Sequence, residues 1–227
     1  MTTESSGAAG QDVAGLAIGV LGGTGDQGRG LARRFSMAGH RVIIGSRKAE
    51  RAAAAAAGIG GGLLFGLENR DAAAAADVVI AAMPWEGHRD LLASLAEPLA
   101  GKVVIDCVNP MGFDSHGAYP LSVLEGSAAE QAAATLPNST VVGAFHHVPA
   151  GLLLDPAVDT VNMDVLVLGD NRAATDLVIA LAGEIPGMRG IYGGRLRNCG
   201  QVEALTANLV SINRRYKAHA GIRITDV

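Results

Sequence analysis

Three glycines, spaced by two and then three residues, are the first feature of this sequence that indicates chemistry. They lie between an apolar run and a stretch with helical periodicity. Glycine at such positions permits a tight turn, a close approach of the backbone to a ligand, and close packing of a helix on a strand. The free N–H groups and the dipole at the helix start then favour a diphosphate. The residues predicted to hold a dinucleotide are Gly23, Thr24, Gly25, Asp26, Gln27 and Gly28.

A basic segment after the next strand indicates which dinucleotide binds. A site selective for NAD ends this strand with Asp or Glu, which holds the 2′-hydroxyl of the ribose. Here the strand is followed by Ser46 and Arg47, and no Asp or Glu lies between the end of the strand and Glu50. A hydroxyl and a guanidinium suit a 2′-phosphate, and Arg51 lies one helical turn beyond Arg47. We therefore predict NADP, bound through Ser46, Arg47 and Arg51. A solvated basic turn is the alternative.

Two further apolar runs end in residues that we expect at the same crevice, because ligands bind beyond the carboxyl ends of parallel strands. The first run ends in Met83, Pro84 and Trp85, and the second is followed by Asn109. Packing of Trp85 in the core is an alternative to ligand contact. For Asn109 the choice is between a bond to the cofactor and a turn before proline.

A pair of histidines, His146 and His147, follows another apolar run and precedes Val148, Pro149 and Ala150. Adjacent histidines raise the question of a metal. We expect none, because no HExxH or carboxylate pattern accompanies them and the histidines at 88 and 116 cannot be placed beside them. A core or capping role and a place at the crevice both remain open for the pair.

Alternating strands and helices must position these residues, which predicts an α/β fold with a parallel sheet. Alanine-rich runs predict several of the helices. The segment 112–120 has no periodicity and is expected to be irregular. The predicted strands cover residues 16–21, 41–44, 63–65, 77–83, 102–108, 140–144, 165–168 and 188–192. The predicted helices cover residues 29–38, 49–57, 68–76, 89–99, 127–135, 172–184 and 201–219.

Composition excludes several classes of function. The chain has 227 residues and a formal net charge of −4, so no electrostatic footprint for nucleic acid or an anionic membrane is present. Cys107 and Cys199 belong to no CxxC pair and are expected to be buried, reduced thiols. Residues 1–15 lack the pattern of a signal peptide, and no apolar run reaches the ~18 residues of a membrane span. A cytoplasmic protein with a disordered tail over residues 1–15 is expected.

Several separated motifs, in order along the chain, resemble the family of coenzyme F420-dependent NADP reductases. The motifs are GVLGGTGDQGRGLARR with VIIGSR, MPWEGH, GSAAE, FHHVPA, VLVLGD and NCGQVEALT. They extend over most of the chain from Ile18 and are much more specific than the glycine spacing alone. This sequence departs from the family pattern at His147, where a smaller polar residue is expected between His146 and the Val-Pro step.

The resemblance implies an oxidoreductase that passes hydride between NADP and the deazaflavin F420. It implies a Rossmann-type parallel sheet over residues 16–194, a small C-terminal helical part over 195–227 that completes the deazaflavin cleft, and a homodimer. By the same resemblance, Thr24 and the glycines would bind the diphosphate. The two rings would meet at Met83, Pro84, His146, Val148, Pro149 and Ala150. Asn198, Glu203, Leu205 and Thr206 belong to the last motif without an assigned role, and Glu203 can instead tie down its own helix.

Two other functions compete with this interpretation. A reductase of a small imine or keto acid needs a placed proton donor such as lysine, and the last helix offers only Lys217. A regulator that senses NADP without turnover would share the glycine loop, so only the second ligand site distinguishes it. An apolar stripe on the last helix, at residues 202, 205, 209 and 212, predicts that the helix takes part in the homodimer. Docking of the helix on the Rossmann-type domain of its own chain is the alternative.

Overall fold

The computed structural model describes residues 12–227, in which an eight-stranded sheet lies between two layers of helices. Residues 1–11, which make up most of the predicted tail, lie outside the described residues. Val13, which the prediction placed in that tail, is buried against the core.

The sheet runs in the order β10-β9-β8-β5-β4-β1-β2-β3, and β6 pairs with β7 in a separate hairpin. The strands are β1 (Ala17–Leu21), β2 (Arg41–Ser46), β3 (Leu64–Glu68), β4 (Val78–Ala81), β5 (Val103–Asp106), β6 (Met111–Asp114), β7 (Gly117–Pro120), β8 (Thr140–Gly143), β9 (Met163–Leu168) and β10 (Met188–Gly194).

The helices cover the two faces of the sheet, and a short 3₁₀ turn precedes the last of them. They are α1 (Asp26–Met37), α2 (Ala49–Ile59), α3 (Asn69–Ala75), α4 (His88–Ser94), α5 (Ala96–Leu99), α6 (Ala128–Thr135), α7 (Ala150–Leu154), α8 (Arg172–Gly183) and α9 (Cys199–Tyr216). None of the helices described is both long and apolar enough to cross a membrane.

The continuous apolar sequence of the central strands follows from burial on both faces. Along β1, Ile18 and Val20 pack with Phe35 of α1, whereas Ala17 and Leu21 belong to a second buried cluster on the opposite face. Helices α1, α2 and α8 contribute to the first cluster, and α3, α4, α6 and α9 contribute to the second.

The order of strands creates a crevice between β1 and β4. After β1 the chain continues to β2 and β3 on one side and then returns to β4 on the other side of β1. The connections therefore leave in opposite directions from the carboxyl ends of β1 and β4. Ligands of open α/β sheets bind at such a switch point.

Three departures from the predicted strands and helices affect the sheet and its connections. The sheet is mostly rather than wholly parallel, because β9 runs antiparallel to β8 and β10 runs parallel to β9. Residues 112–120 are not irregular, since the carboxylate of Asp114 accepts the N–H groups of His116 and Gly117 and closes the turn of the β6–β7 hairpin. The helix predicted over 89–99 breaks at Leu95 into α4 and α5.

The C-terminal residues fold back onto the sheet. Helix α9 packs against α6 and β7, and the segment after it reaches β9. There the buried carboxylate of Asp164 accepts two bonds from Arg189, at 2.7 and 2.8 Å, and the Ile224 N–H at 2.6 Å. The Arg189 guanidinium holds the pKa of Asp164 at about 2. The division of the chain between residues 194 and 195 stays a prediction.

Candidate functional site

The turn after β1 requires glycine. Gly22 has a φ of +64°, and a Cβ atom there would lie 2.6 Å from the Cβ of Met83. Its N–H donates to the side-chain oxygen of Asn69 at 3.2 Å, and the N–H of Gly23 donates to the Gly45 carbonyl at 3.1 Å. The loop is therefore held by β2 and by the start of α3. Sequence reasoning missed Asn69, which carries no local motif.

The start of α1 is open to a ligand. Gly25 is the N-cap residue, no side chain caps the helix, and a Cβ at Gly25 would meet no atom within 4 Å. The first N–H groups of the helix therefore have no partner within the helix or at its cap. Gly28 serves packing, because a Cβ there would lie 2.6 Å from the Cα of Gly23. Asp26 in the first turn is exposed, and its carboxylate lies 3.8 Å from the guanidinium of Arg29.

The predicted basic residues border the same space. Ser46 ends β2 and is buried, whereas Arg47 and Arg51 are exposed and pair with no carboxylate among residues 12–227. A cavity of about 510 Å³, here termed the glycine-loop cavity, lies between them and α1. The predicted site residues that line it are Thr24, Gly25, Asp26, Gln27, Ser46, Arg47, Arg51, Met83 and Pro84.

A second cavity of about 380 Å³, here termed the strand-end cleft, adjoins the first. The two share Gln27, Ala82, Met83 and Pro84. Helix α9 forms one wall through Thr206, Leu209 and Asn213, none of which the sequence analysis placed individually at the cleft. The predicted site residues that line the cleft are Gln27, Met83, Pro84, Trp85, Asn109, His146, Val148, Pro149 and Ala150.

Three side chains hold the loop that follows β8. Phe145 has a φ of +63°, a conformation that costs a non-glycine residue about 1–3 kcal/mol. Its carbonyl accepts the side-chain amide of Gln27 at 3.1 Å. The carbonyl of His146 accepts the side-chain amide of Asn109 at 2.8 Å and the Thr206 hydroxyl at 3.3 Å. Asn109 thus donates one of its amide hydrogens to the loop, and Gln27 connects the loop to the start of α1.

Both histidines of this loop are neutral at pH 7. Burial lowers the pKa of His146 to about 4, and neither ring nitrogen has a hydrogen-bond partner among the described residues. Burial and the neighbouring His146 lower the pKa of His147 to about 4. The Nε2 atom of His147 accepts the Leu166 N–H at 3.3 Å, which places the proton on Nδ1. The two rings are therefore packed into the wall of the cleft without charge.

The first half of the chain matches a family model. The model is described as NADP oxidoreductase coenzyme F420-dependent, and it matches residues 17–110. An F420-dependent NADP reductase from Methanothermobacter thermautotrophicus is 41% identical in an alignment that covers 93% of this chain and 96% of the relative. The chain belongs to the family of F420-dependent NADP reductases.

Two further comparisons agree with this family. The F420-dependent NADP reductase from Methanocaldococcus jannaschii is 40% identical over 225 residues, covering 93% of this chain and 99% of the relative. The crystal structure of an Arthrobacter sp. FB24 protein assigned as an F420-dependent NADP reductase superposes with a TM-score of 0.79. It shares 29% identity and covers 93% of this chain and 100% of its own.

In this F420-dependent NADP reductase family member, Glu203 connects two helices. Its carboxylate accepts the N–H groups of Ala128 at 2.9 Å and Ala129 at 3.2 Å, at the start of α6. Glu203 thus ties its own helix, α9, to the start of α6, which is the structural alternative given in the sequence analysis. Burial raises the pKa of Glu203 to about 7, against the effect of the two N–H groups. One carboxylate oxygen lies 3.9 Å from Nε2 of His146.

A buried polar network behind the cleft was missed by sequence reasoning. His88 is fully buried, with Nε2 at 2.6 Å from a carboxylate oxygen of Asp106 and Nδ1 at 3.1 Å from the side-chain oxygen of Gln131. The amide of Gln131 donates to Glu125 at 3.2 Å, which leaves its oxygen to face the histidine. Burial lowers the pKa of His88, but the bonds to Asp106 outweigh it, and the pKa is raised. Both ring nitrogens of His88 therefore face oxygen atoms that can accept a hydrogen bond.

The side chains that could bind a metal ion are not grouped into a site among the described residues. Cys107 and Cys199 are buried and free, and burial raises the pKa of both thiols. Within residues 12–227, no group of three or more His, Cys, Asp or Glu side chains is arranged to hold a metal ion. Glu86, which the sequence placed at a helix start, lines the glycine-loop cavity just before α4.

Proposed function

We propose that this protein transfers hydride reversibly between reduced coenzyme F420 and NADP. The observation that carries the proposal is that two cavities adjoin at the carboxyl ends of β1 and β4 and share Met83 and Pro84. One has the features of a dinucleotide site, and the other has room for a second flat ring. Relatives at about 40% identity over 93% of this chain are F420-dependent NADP reductases.

The residues present fit an NADP molecule in the glycine-loop cavity. The open N-terminus of α1 at Gly25 suits the diphosphate, with Thr24 beside it. The unpaired guanidiniums of Arg47 and Arg51, together with the Ser46 hydroxyl, suit a 2′-phosphate. We assign the diphosphate and the 2′-phosphate to these two groups of residues.

The strand-end cleft fits a deazaflavin ring beside the nicotinamide. When bound, the two cofactors supply the hydride donor and acceptor, at the deazaflavin C5 and the nicotinamide C4. The residues of the cleft contribute position, since reacting atoms held about 3–3.5 Å apart gain roughly 7–11 kcal/mol from orientation. Val148, Pro149 and Ala150 present small or apolar surface that lets the rings approach and excludes water. His146, which is buried in the wall of the cleft, contributes by helping to hold the rings in position.

A spectroscopic experiment tests this function. Reduced F420 is mixed anaerobically with NADP and the full-length protein, and the visible absorbance of the oxidised deazaflavin is followed. We expect absorbance to appear at a rate that depends on the protein and is much lower with NAD. Binding of NADPH without any absorbance change would instead favour a sensor. Oxidation of NADPH by a cyclic imine without a deazaflavin would favour the imine reductase, which no observation of this structure supports.

We also infer that the protein is a homodimer in which α9 takes part. Of the predicted apolar stripe, Val202 and Leu209 are buried in their own chain, whereas Leu205 and Ile212 remain 37% and 39% exposed. This half-exposed pair on a helix that lines the cleft supports contact with a second copy. A location in the cytoplasm stays a prediction.

A further inference from the structure

A third cavity lies between the β6–β7 hairpin and the C-terminal half of α9. This hairpin cavity has a volume of about 780 Å³ and shares Val210 with the strand-end cleft. Its charged and titratable residues are Asp114 and His116 of the hairpin, and Arg214 and Arg215 of α9. None of the assignments made above uses it.

The same two elements run from the strand-end cleft into the hairpin cavity. On α9, Leu209 and Asn213 line the cleft, and Val210 lines both cavities. Arg214, one helical turn beyond Val210, lines the hairpin cavity. On the hairpin, Met111 lines the cleft, and residues from 113 onward line the cavity. The two cavities therefore adjoin at Val210, and the hairpin and α9 line both of them.

The charge in the hairpin cavity is basic. The guanidiniums of Arg214 and Arg215 are exposed, and neither pairs with a carboxylate in the described part of the chain. The carboxylate of Asp114 already accepts the N–H groups of the hairpin turn, at 2.7 and 3.1 Å. Two arginines in the last turn of a helix also stabilise its C-terminus. That role does not explain why both border a cavity that adjoins the cleft at Val210.

We propose that the hairpin cavity binds the anionic side chain of the deazaflavin cofactor, with Arg214 and Arg215 pairing its phosphate or carboxylate groups. The proposal rests on the proposed function. Coenzyme F420 carries a ribityl chain that continues through a phosphate to glutamate carboxylates, so its charges lie outside the ring system. The strand-end cleft, at about 380 Å³, accommodates the rings, and the charged chain must leave it. The hairpin cavity adjoins the cleft and contains the two unpaired arginines, so it is the place that we assign to the charged chain.

The test compares two deazaflavins, F420 itself and the ring compound that ends at the ribityl chain, with neither phosphate nor glutamate. Their affinities for the full-length protein with NADP present are measured by fluorescence titration, for the wild type and for the double variant Arg214→Ser, Arg215→Ser. We expect the variant to bind F420 about tenfold more weakly, the effect of two partly exposed ion pairs. Its affinity for the ring compound should equal that of the wild type. Added salt should weaken only F420 binding to the wild type.

A matched control removes two positive charges elsewhere. The variant Arg70→Ser, Arg172→Ser loses arginines that pair with Glu97 and Asp176 and that line neither the cleft nor the hairpin cavity. It should bind both deazaflavins as the wild type does. The restoring variant Arg214→Lys, Arg215→Lys should regain most of the F420 affinity.

Three results would overturn the proposal. If the serine variant loses affinity for both deazaflavins equally, the arginines support the fold and not the side chain. If it binds F420 as tightly as the wild type, the hairpin cavity does not hold the side chain. If the wild type binds neither compound, the proposed function itself fails. The last result is distinct from the first two because the wild type alone reveals it.

Discussion

At the scale of single residues, Arg47 is predicted to carry the choice of dinucleotide. It is exposed, has no carboxylate partner among residues 12–227, and borders the glycine-loop cavity beside Ser46. A charge-assisted bond contributes about 1.5–3 kcal/mol, and the exposure of this site favours the lower end. Replacing Arg47→Ala should therefore weaken NADP binding about tenfold and leave NAD binding nearly unchanged. Isothermal titration with both dinucleotides measures the difference.

Arg41→Ala is the control for this substitution. Arg41 begins the strand that Ser46 ends, and its guanidinium lies over the ring of Phe65 at 5.3 Å from the centroid. Losing it removes the same charge at the opposite end of the strand, so both affinities should stay at wild-type values. Equal losses of NADP and NAD affinity in Arg47→Ala would show that Arg47 does not recognise the 2′-phosphate.

His146 is predicted to position the cofactors without exchanging protons with them. Its pKa of about 4 keeps it neutral at working pH, and both ring nitrogens are buried. General acid or base catalysis contributes about 10²–10⁴-fold to a rate. The substitution His146→Asn should therefore lower the rate by less than about 10²-fold, the lower end of that range, at every pH. The pH profile of the rate should keep all its ionisations. A thousandfold loss together with the disappearance of one ionisation would make His146 the acid–base group.

At the scale of elements, Glu203 links α9 to α6 and makes stability depend on pH. Its pKa is raised to about 7 in the folded protein, above the ~4.3 of a free glutamate. The folded state therefore binds a proton more tightly than the unfolded state does. The stabilisation from this proton is complete below about pH 4 and is lost as the pH rises through about 7. Stability should thus decline across this window in the wild type.

Urea unfolding at several pH values tests the role of Glu203. Glu203→Gln, which cannot titrate, should show a smaller decline between pH 5 and 8 than the wild type, with the two measured side by side. The raised pKa of His88 adds a decline of the same sign, and it should remain in the variant. Identical pH dependence in the two proteins would mean that Glu203 does not hold a proton in the folded state.

At the scale of the whole molecule, the homodimer should depend on the exposed part of the α9 stripe. Charged side chains at both positions, Leu205→Glu and Ile212→Glu, should shift the protein toward the monomer, because two carboxylates cannot be buried in an apolar contact without partners. Sedimentation velocity measures the shift. Leu124→Glu, at a position that is 96% exposed outside α9, should leave the mass unchanged. A double variant with the same mass as the wild type would place the contact elsewhere.

Local patterns were sufficient for the dinucleotide half of the protein. The glycine turn, the apolar strand before it and the helix after it are adjacent in sequence, so their spacing alone predicts a strand, a turn and a helix. The same holds for Ser46 and Arg47, because their place at the end of the next strand follows from the local sequence alone. In the structure both groups border one cavity. The α/β fold and the family also followed from motifs that can be read in order along the chain.

The contacts that shape the second cavity depend on the tertiary structure. Gln27 reaches the carbonyl of Phe145 across 118 residues, and Thr206 reaches that of His146 across 60. No local pattern encodes such pairs, because the strand order that places β8 beside β5 and the return of α9 to the cleft bring them together. The raised pKa of His88 likewise requires Asp106 and Gln131 at its two nitrogens. Sequence determined the types of residue at the strand ends, and the packing of distant segments decided which of them line the two cavities.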